Sequence, residues 1–292
     1  MVLRETLRPL RKLPEILQGI DAIDSPASKL NRLAAGYVGP DKALAGILGG
    51  ADAGHPLHPM LTDITIGAWT AAVALDLLGG KSSHKAADRL IALGVASSGP
   101  TALSGLADWE TLYGPSQRLG MVHAASNAAA SSLFLYSWLA RKRGRRTRGV
   151  LCGLLGISVA SFGGFLGGHL SYRLGAGVDH TAFAELPSSW TEVASEADLE
   201  EGRALPGRAG DLAVMVLRQE GRIYALVDNC AHQGGPLHQG TVGEGCITCP
   251  WHQSVFRLSD GEVTAGPSAH PQPVLDVRVL DGRIEVKARE AS

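Results

Sequence analysis

The sequence predicts an α + β multidomain chain: an N-terminal four-helix transmembrane bundle followed by a small antiparallel all-β domain. Three observations carry this. Four long stretches almost free of charge lie between residues 60 and 174, the composition turns polar near residue 183, and short β-rich runs with tight turn signals follow. At 292 residues the chain has room for both parts. The expected boundaries are 1–52 for an N-terminal helical segment, 53–180 for the bundle and 184–290 for the β domain.

The N-terminus, "MVLRETLRPLRKLPEIL", carries Arg4, Arg8, Arg11 and Lys12 but no apolar core or small-residue cleavage site. It reads as a basic amphipathic helix rather than a secretory signal. The net charge of -1 and the 19% of charged residues average an apolar Ala/Gly/Leu-rich part with an ordinary polar one, and nothing in them points to nucleic acid.

The apolar stretches, roughly 60–80, 90–106, 119–140 and 150–170, each approach the ~20 residues that a helix needs to cross a bilayer. Small residues four apart, Gly149 with Gly153 and Gly164 with Gly168, let helices approach closely. Pro100 and several serines interrupt the second stretch. The loop "RKRGRRTR" after the third is basic, and so is the loop after the first, with Lys81, Lys85 and Arg89; the loop after the second offers only Arg118. Basic loops stay in the cytoplasm. Four spans then make this a multi-pass protein of the cell membrane, with the second domain extracytoplasmic.

In an up-down bundle His55, His58, Asp63, Asp108, Trp109, His123, Asn127, His169 and Tyr172 fall at one end, from which the chain enters the second domain. Ionisable groups are costly in a membrane, so a cluster at one depth marks a candidate site. Haem b held by two histidines, a quinol pocket and a copper site are all open, beside a plain role as interfacial anchors or interhelical hydrogen-bond partners. His123 and His169, both inside their helices, lead as cofactor ligands; His58 stands at a helix entry whose prolines, in "HPLHP", suit a rigid turn. The run from "GHPLHPMLTDITIGAW" through "ADWETL", "MVHAASN" and "GGHLSYRLGAGV" resembles a bacterial family of four-helix membrane domains without an assigned function. The resemblance implies a membrane domain in which these histidines matter, and no mechanism.

The second domain begins near "SSWTEV". Strands are expected at "LAVMVLR" and "RIYALVD" around Gln219-Glu220-Gly221, at "SVFRLSDGEV", and at "VLDVRVLDGRIEVKA" around Asp281-Gly282, a strong hairpin signal. Two loops interrupt them, "NCAHQGGPLHQG" and "CPWHQ", pairing Cys230 with His232 and Cys249 with His252. Two thiolates and two imidazoles suit a tetrahedral zinc or a two-iron cluster with cysteines on one iron and histidines on the other. Each pair is mixed, whereas zinc fingers commonly pair Cys with Cys and His with His, and the glycines and prolines in the gaps suit loops that bring amides to inorganic sulfide. Cys246 reads as a buried free thiol, His238 as a solvated loop histidine and Cys152 as a packing residue.

These four residues and their loops resemble Rieske iron-sulfur domains, over roughly 190–287. The resemblance implies a [2Fe-2S] cluster with Cys230 and Cys249 on one iron, His232 and His252 on the other, and electrons passing through the exposed histidine edge. Cluster reduction would then favour protonated imidazole. Gly235 and Trp251 stand where the quinol-oxidising branch has a disulfide, so the chain looks more like the ferredoxin and oxygenase branch. Ser254 matches a serine that bonds cluster sulfur, Phe256 replaces a tyrosine that would do the same, and Gln253 replaces a glycine; a low-to-intermediate potential is expected. The function implied is membrane-anchored electron transfer with a membrane redox site or quinone. The alternative is a tethered ferredoxin serving a separate oxygenase or oxidase, with no room left for a mononuclear-iron domain. Membrane lipid and a redox partner protein or quinone are the expected partners; oligomeric state is not readable.

Overall fold

The computed structural model describes residues 8–37 and 42–289, and divides into two compact units. Of these, residues 8–37 and 57–176 form one; residues 42–56 and 177–289 form the other. The expected 1–52 segment is therefore not one body. Arg4, and the side chains of Arg8 and Arg11, lie outside the described residues.

Among the described residues there are seven α-helices: α1 (Arg8–Gln18), α2 (Asp24–Tyr37), α3 (Lys42–Gly49), α4 (Leu57–Leu78), α5 (His84–Glu110), α6 (Gly114–Lys142) and α7 (Arg146–Leu174). The last four are the long ones, and their side-chain contacts show how they run. His58 packs on Gly105 and Trp69 on Gly94, while His123 packs on Gly167 and Phe134 on Gly156. Partner numbers fall on one helix as they rise on the other, so α4–α5 and α6–α7 are antiparallel hairpins. Trp69 and Phe134 stack at 4.3 Å and 10° in the core between them, with Ile91, Ala130 and Ala160 around. The glycines make this possible: a Cβ at Gly94 would lie 2.3 Å from Trp69 Nε1.

By length and composition α4, α7 and the stretch Lys81–Glu110 can cross a membrane. The structure thus supports three spans on apolarity where the sequence predicts four. Helix α6 is long enough but carries the polar groups that hold the unit together. Arg118 binds Asp24 (2.5 and 2.8 Å) on α2, Ser137 donates to Gly149 O (2.6 Å), and Arg141 reaches Asp76 and Asp88. At the basic-loop end Arg141 and Asp76, only 1% and 2% exposed, are joined by Arg146 and Asp88 in a four-member ion network. Helices α1 and α2 pack at the opposite end, where Asn31 Nδ2 donates to Glu110 O (2.8 Å).

In the second unit α3 lies with Gly46 and Gly49 against the main chain of Gly266 and Pro267. Among the described residues ten strands form two antiparallel sheets. The base has order β1-β10-β9-β4-β3-β2, from Thr191–Ser195 (β1), Leu205–Ala209 (β2), Leu212–Gln219 (β3), Arg222–Val227 (β4), Val274–Leu280 (β9) and Arg283–Ala288 (β10). Between β4 and β9 is inserted a four-stranded sheet, β5 (Thr241–Gly243), β6 (Cys246–Thr248), β7 (Val255–Arg257) and β8 (Val263–Ala265). Glu220-Gly221 and Asp281-Gly282 turn with positive φ at both positions, as the hairpin reading requires; Glu244-Gly245 makes a third such turn. Val214, Val216, Ala225, Leu275, Ile284 and Val286 fill one core, and Met215, Leu217, Leu226, Ile247, Phe256 and Leu258 the other.

Candidate metal centre

The inserted sheet presents two loops of matched construction. In the loop after β4, Cys230 N donates to Gly235 O (2.9 Å) and Gly234 N donates to Cys230 O (2.7 Å). In the loop between β6 and β7, Cys249 N donates to Ser254 O (2.8 Å) and Gln253 N donates to Cys249 O (3.2 Å). Each turn needs a left-handed residue at the same place: Gly234 at φ 73° and Gln253 at φ 62°. The glycine substitution noted in the sequence therefore keeps the backbone path and puts strain on Gln253.

Both thiols are buried, and each receives two main-chain amides, from His232 and Gln233 at Cys230 and from Trp251 and His252 at Cys249. The two thiols also face each other within hydrogen-bonding reach. Hydrogen bonding from Cys230, and the two amides, push Cys249 down to about 7, while Cys230, facing Cys249 and buried, is pushed far up. The imidazoles of His232 and His252 lie 5.0 Å apart, ring edge to ring face. Burial, then the neighbouring His252, His180 and His270, push His232 down to about 3, so its ring is neutral. Its Nδ1 is buried without a hydrogen-bond partner, as a nitrogen reserved for a metal would be. Among the described residues no three His, Cys, Asp or Glu side chains converge on one point. Two thiols and two imidazoles in paired loops fit a two-iron cluster, which Cys230, Cys249, His232 and His252 would hold, with four amides meeting the cysteine sulfurs.

Two supports were not visible in the sequence. Gln272, 2% exposed, donates from Nε2 to Val227 O (2.6 Å) and Asn229 O (2.9 Å) and accepts from Ala231 N (2.8 Å), clamping the first loop from forty residues away. Buried Asp228 accepts from His238 N (2.7 Å) and pairs with His238 Nδ1 (2.7 Å). His238 is thus a loop strut, which corrects its reading as a solvated residue. Cys246 is half-buried rather than buried.

The model of the Rieske [2Fe-2S] domain matches residues 189–280. Ferredoxin CarAc of Metapseudomonas resinovorans is 30% identical over 33% of this chain and 92% of its own length. The chain belongs to the Rieske [2Fe-2S] family. The anthranilate 1,2-dioxygenase ferredoxin subunit of Burkholderia cepacia is 28% identical over 34% of this chain and 92% of its own. Mouse apoptosis-inducing factor 3 is 29% identical over 31% of this chain but only 15% of its own length. The solved ferredoxin of carbazole 1,9a-dioxygenase from Nocardioides aromaticivorans is 29% identical over 35% of this chain and all of its own, with a TM-score of 0.33. Residues 54–180 match a second family, described as predicted membrane protein (DUF2231). The Rieske domain is thus an electron-transfer module joined to a membrane-protein domain.

Inside the Rieske domain Gly235 packs on Cys249 Sγ and the Trp251 ring, where a Cβ would sit 3.0 Å from both. Ser254 is buried, its Oγ accepting from Ser268 N (3.2 Å), and Phe256 fills the core. In the membrane domain the leading pair of the sequence reading is not the pair brought together. His123 faces His58, ring centroids 6.3 Å apart at 77°. His169 turns away to Gln18, Nε2 to Nε2 3.3 Å. The reason is helical phase: Gly167 faces His123, so His169, two residues on, points to another side of α7. Nothing in the arrangement supports haem b between His123 and His169.

Proposed function

We propose that the chain is a membrane-anchored one-electron carrier whose Rieske cluster exchanges electrons with a redox site in the membrane domain or with a membrane quinone. The observation that carries the cluster half is the doubled loop: two buried thiols, two imidazoles and four directed amides, one half repeating the other. Cys230 and Cys249 would hold one iron, His232 and His252 the other; when bound, the cluster supplies one-electron transfer and no bond chemistry. The amides oppose the charge an added electron brings. Half-exposed Trp251, 48% accessible, and the adjacent His252 ring form the edge at which a donor or acceptor would dock.

The membrane half of the reading rests on the apolar helices and on the His58–His123 pair at one depth. In it α6 crosses the bilayer as a fourth span, its polar groups facing inward. Both ends of the bundle domain then share one side, and the basic loop 142–146 sets that side as extracytoplasmic for the Rieske domain.

A second reading is favoured by the ferredoxin relatives, each matched over 92% of its length: the Rieske domain serves a separate oxygenase or oxidase, and the bundle only anchors it. One experiment separates them. Full-length protein in lipid vesicles is reduced by a quinol in the bilayer and, separately, by a soluble ferredoxin reductase, before and after His123→Ala. The first reading expects quinol-driven cluster reduction to be lost and reductase-driven reduction to survive. Unchanged rates in both assays, with intact clusters, contradict it and favour the anchor.

A further inference from the structure

The segment 266–272 ties to both loops of the metal centre, yet little in its own backbone holds it. Pro267 and Pro271 remove two amides from it, and among the described residues no main-chain group of 266–271 bonds another main-chain group. Its ties run sideways. Gly266, at φ 93°, lies against the loop that carries Cys249, where a Cβ would come within 2.6 Å of Gln253 O and 2.7 Å of Ser254 Cα. Ser268 N donates to Ser254 Oγ (3.2 Å), and Gln272 clamps the loop that carries Cys230. A segment so short of main-chain bonds is easily displaced, so its resting place depends on what packs against it.

Helix α3 packs against it. A Cβ at Gly49 would stand 3.0 Å from Pro267 O, and one at Gly46 would stand 3.4 Å from Gly266 O. Both glycines are buried, while Leu44 and Ile47 of the same helix are exposed. The helix lies far outside residues 189–280, which match the Rieske domain, but belongs to the same compact unit. It is an addition to the module.

The Gly49 contact falls on one end of a lever. Pro267 O and Ser268 N–H belong to a single planar peptide group and point in opposite directions from it. Gly49 touches the oxygen, and Ser254 Oγ accepts the hydrogen. Pro267 cannot swing aside freely, because its ring fixes φ and Gly266 before it already touches the Cys249 loop. With the Ser268 bond in place, the Ser254 hydroxyl is oriented and keeps its own hydrogen for a cluster sulfur. A tilt of the peptide would break that bond and let the hydroxyl rotate.

We infer that α3 is a positioning element of the metal centre: through the Pro267–Ser268 peptide it holds the Ser254 hydroxyl toward the cluster and so raises the cluster potential. The inference rests on the cluster half of the proposed function.

The test uses the full-length, cluster-loaded protein in detergent. Alanine favours a helix over glycine, so a change in Gly49→Ala comes from the contact and not from a weakened helix. Equilibrium redox titration should show the potential lowered in Gly49→Ala and lowered further in Gly49→Val, in neither case by more than in Ser254→Ala. Gly46→Ala, whose added Cβ meets an ordinary contact distance, should leave the potential nearly unmoved. In a Ser254→Ala background the Gly49 substitutions should add nothing, since the hydroxyl they act on is gone. Hydrogen exchange of the Ser268 amide, which does not depend on the potential, should be at least about tenfold faster in Gly49→Ala. If the valine variant does not fold, the alanine variant decides. Intact clusters with an unmoved potential in Gly49→Ala, an equal shift with and without Ser254, or unchanged Ser268 exchange would each overturn the inference and leave the cluster reading standing. An unsubstituted chain that binds no two-iron cluster would overturn both.

Discussion

Replacing Gln272 by alanine should loosen the metal centre more than any other change outside the four ligands. The side chain satisfies three main-chain groups of the first loop, the carbonyls of Val227 and Asn229 and the amide of Ala231, next to Cys230 and His232. Water has no access to a residue 2% exposed, so the truncated protein leaves those groups without partners. At about 1–1.5 kcal/mol for each, the loss is about 3–4.5 kcal/mol, or roughly 150- to 2000-fold in the equilibrium for loop opening. The assay is the first-order bleaching of cluster absorption under excess iron chelator, since the cluster is lost through the opened loop. Bleaching of Gln272→Ala at least about 100-fold faster than wild type is expected. Gln272→Glu should be nearly as damaging, because it sets a carboxylate oxygen against two carbonyls. Rates within about threefold of wild type for both variants would refute the clamp.

Other outcomes follow from single contacts. Gln253→Gly should raise the thermal midpoint of the Rieske domain, the relief of left-handed strain exceeding the added chain entropy by about 0.5–1 kcal/mol, and Gly234→Ala should lower it by a similar amount. Ser254→Ala should lower the cluster potential by about 40–80 mV, the equivalent of about 1–2 kcal/mol, because Ser254 Oγ accepts from Ser268 and so keeps its own hydrogen for a cluster sulfur; equilibrium redox titration reads it. Arg141→Met should cost about 3–5 kcal/mol in detergent thermal unfolding by leaving Asp76 buried with Arg146 alone, and the double variant with Asp76→Leu should recover most of the loss. Thr147→Cys, in the first turn of α7 beside the basic loop proposed to face the cytoplasm, should resist an impermeant thiol reagent in intact cells; labelling above that of the unmutated protein reverses the orientation.

The parts of the structure that were legible in the sequence are those set by neighbours in the chain. Cys230 with His232 and Cys249 with His252 are local pairs, and each folds as a local turn closed by its own amides. Glu220-Gly221 and Asp281-Gly282 turn because glycine takes the second of the two positive-φ positions. What escaped the sequence depends on register between distant elements. His58 meets His123 only because the hairpins align through Trp69 and Phe134, and hydropathy carries no such phase. Gln272 reads as an ordinary polar residue among prolines until its three bonds are seen. The third apolar segment is less apolar than the other three for a related reason, since α6 spends its polar side chains on its neighbours. Residues 41–56 join the β unit through glycine contacts with Gly266 and Pro267, and small residues give no advance notice of where they pack.

In the proposed carrier two imidazoles and two thiolates share one cluster within a membrane protein. Electron–nuclear double resonance on the detergent-purified, dithionite-reduced chain tests it most directly. Two strongly coupled nitrogens, from His232 and His252, are expected, with two irons per chain. A reduced cluster with no strongly coupled nitrogen, or a single bound metal in place of two irons, would contradict it.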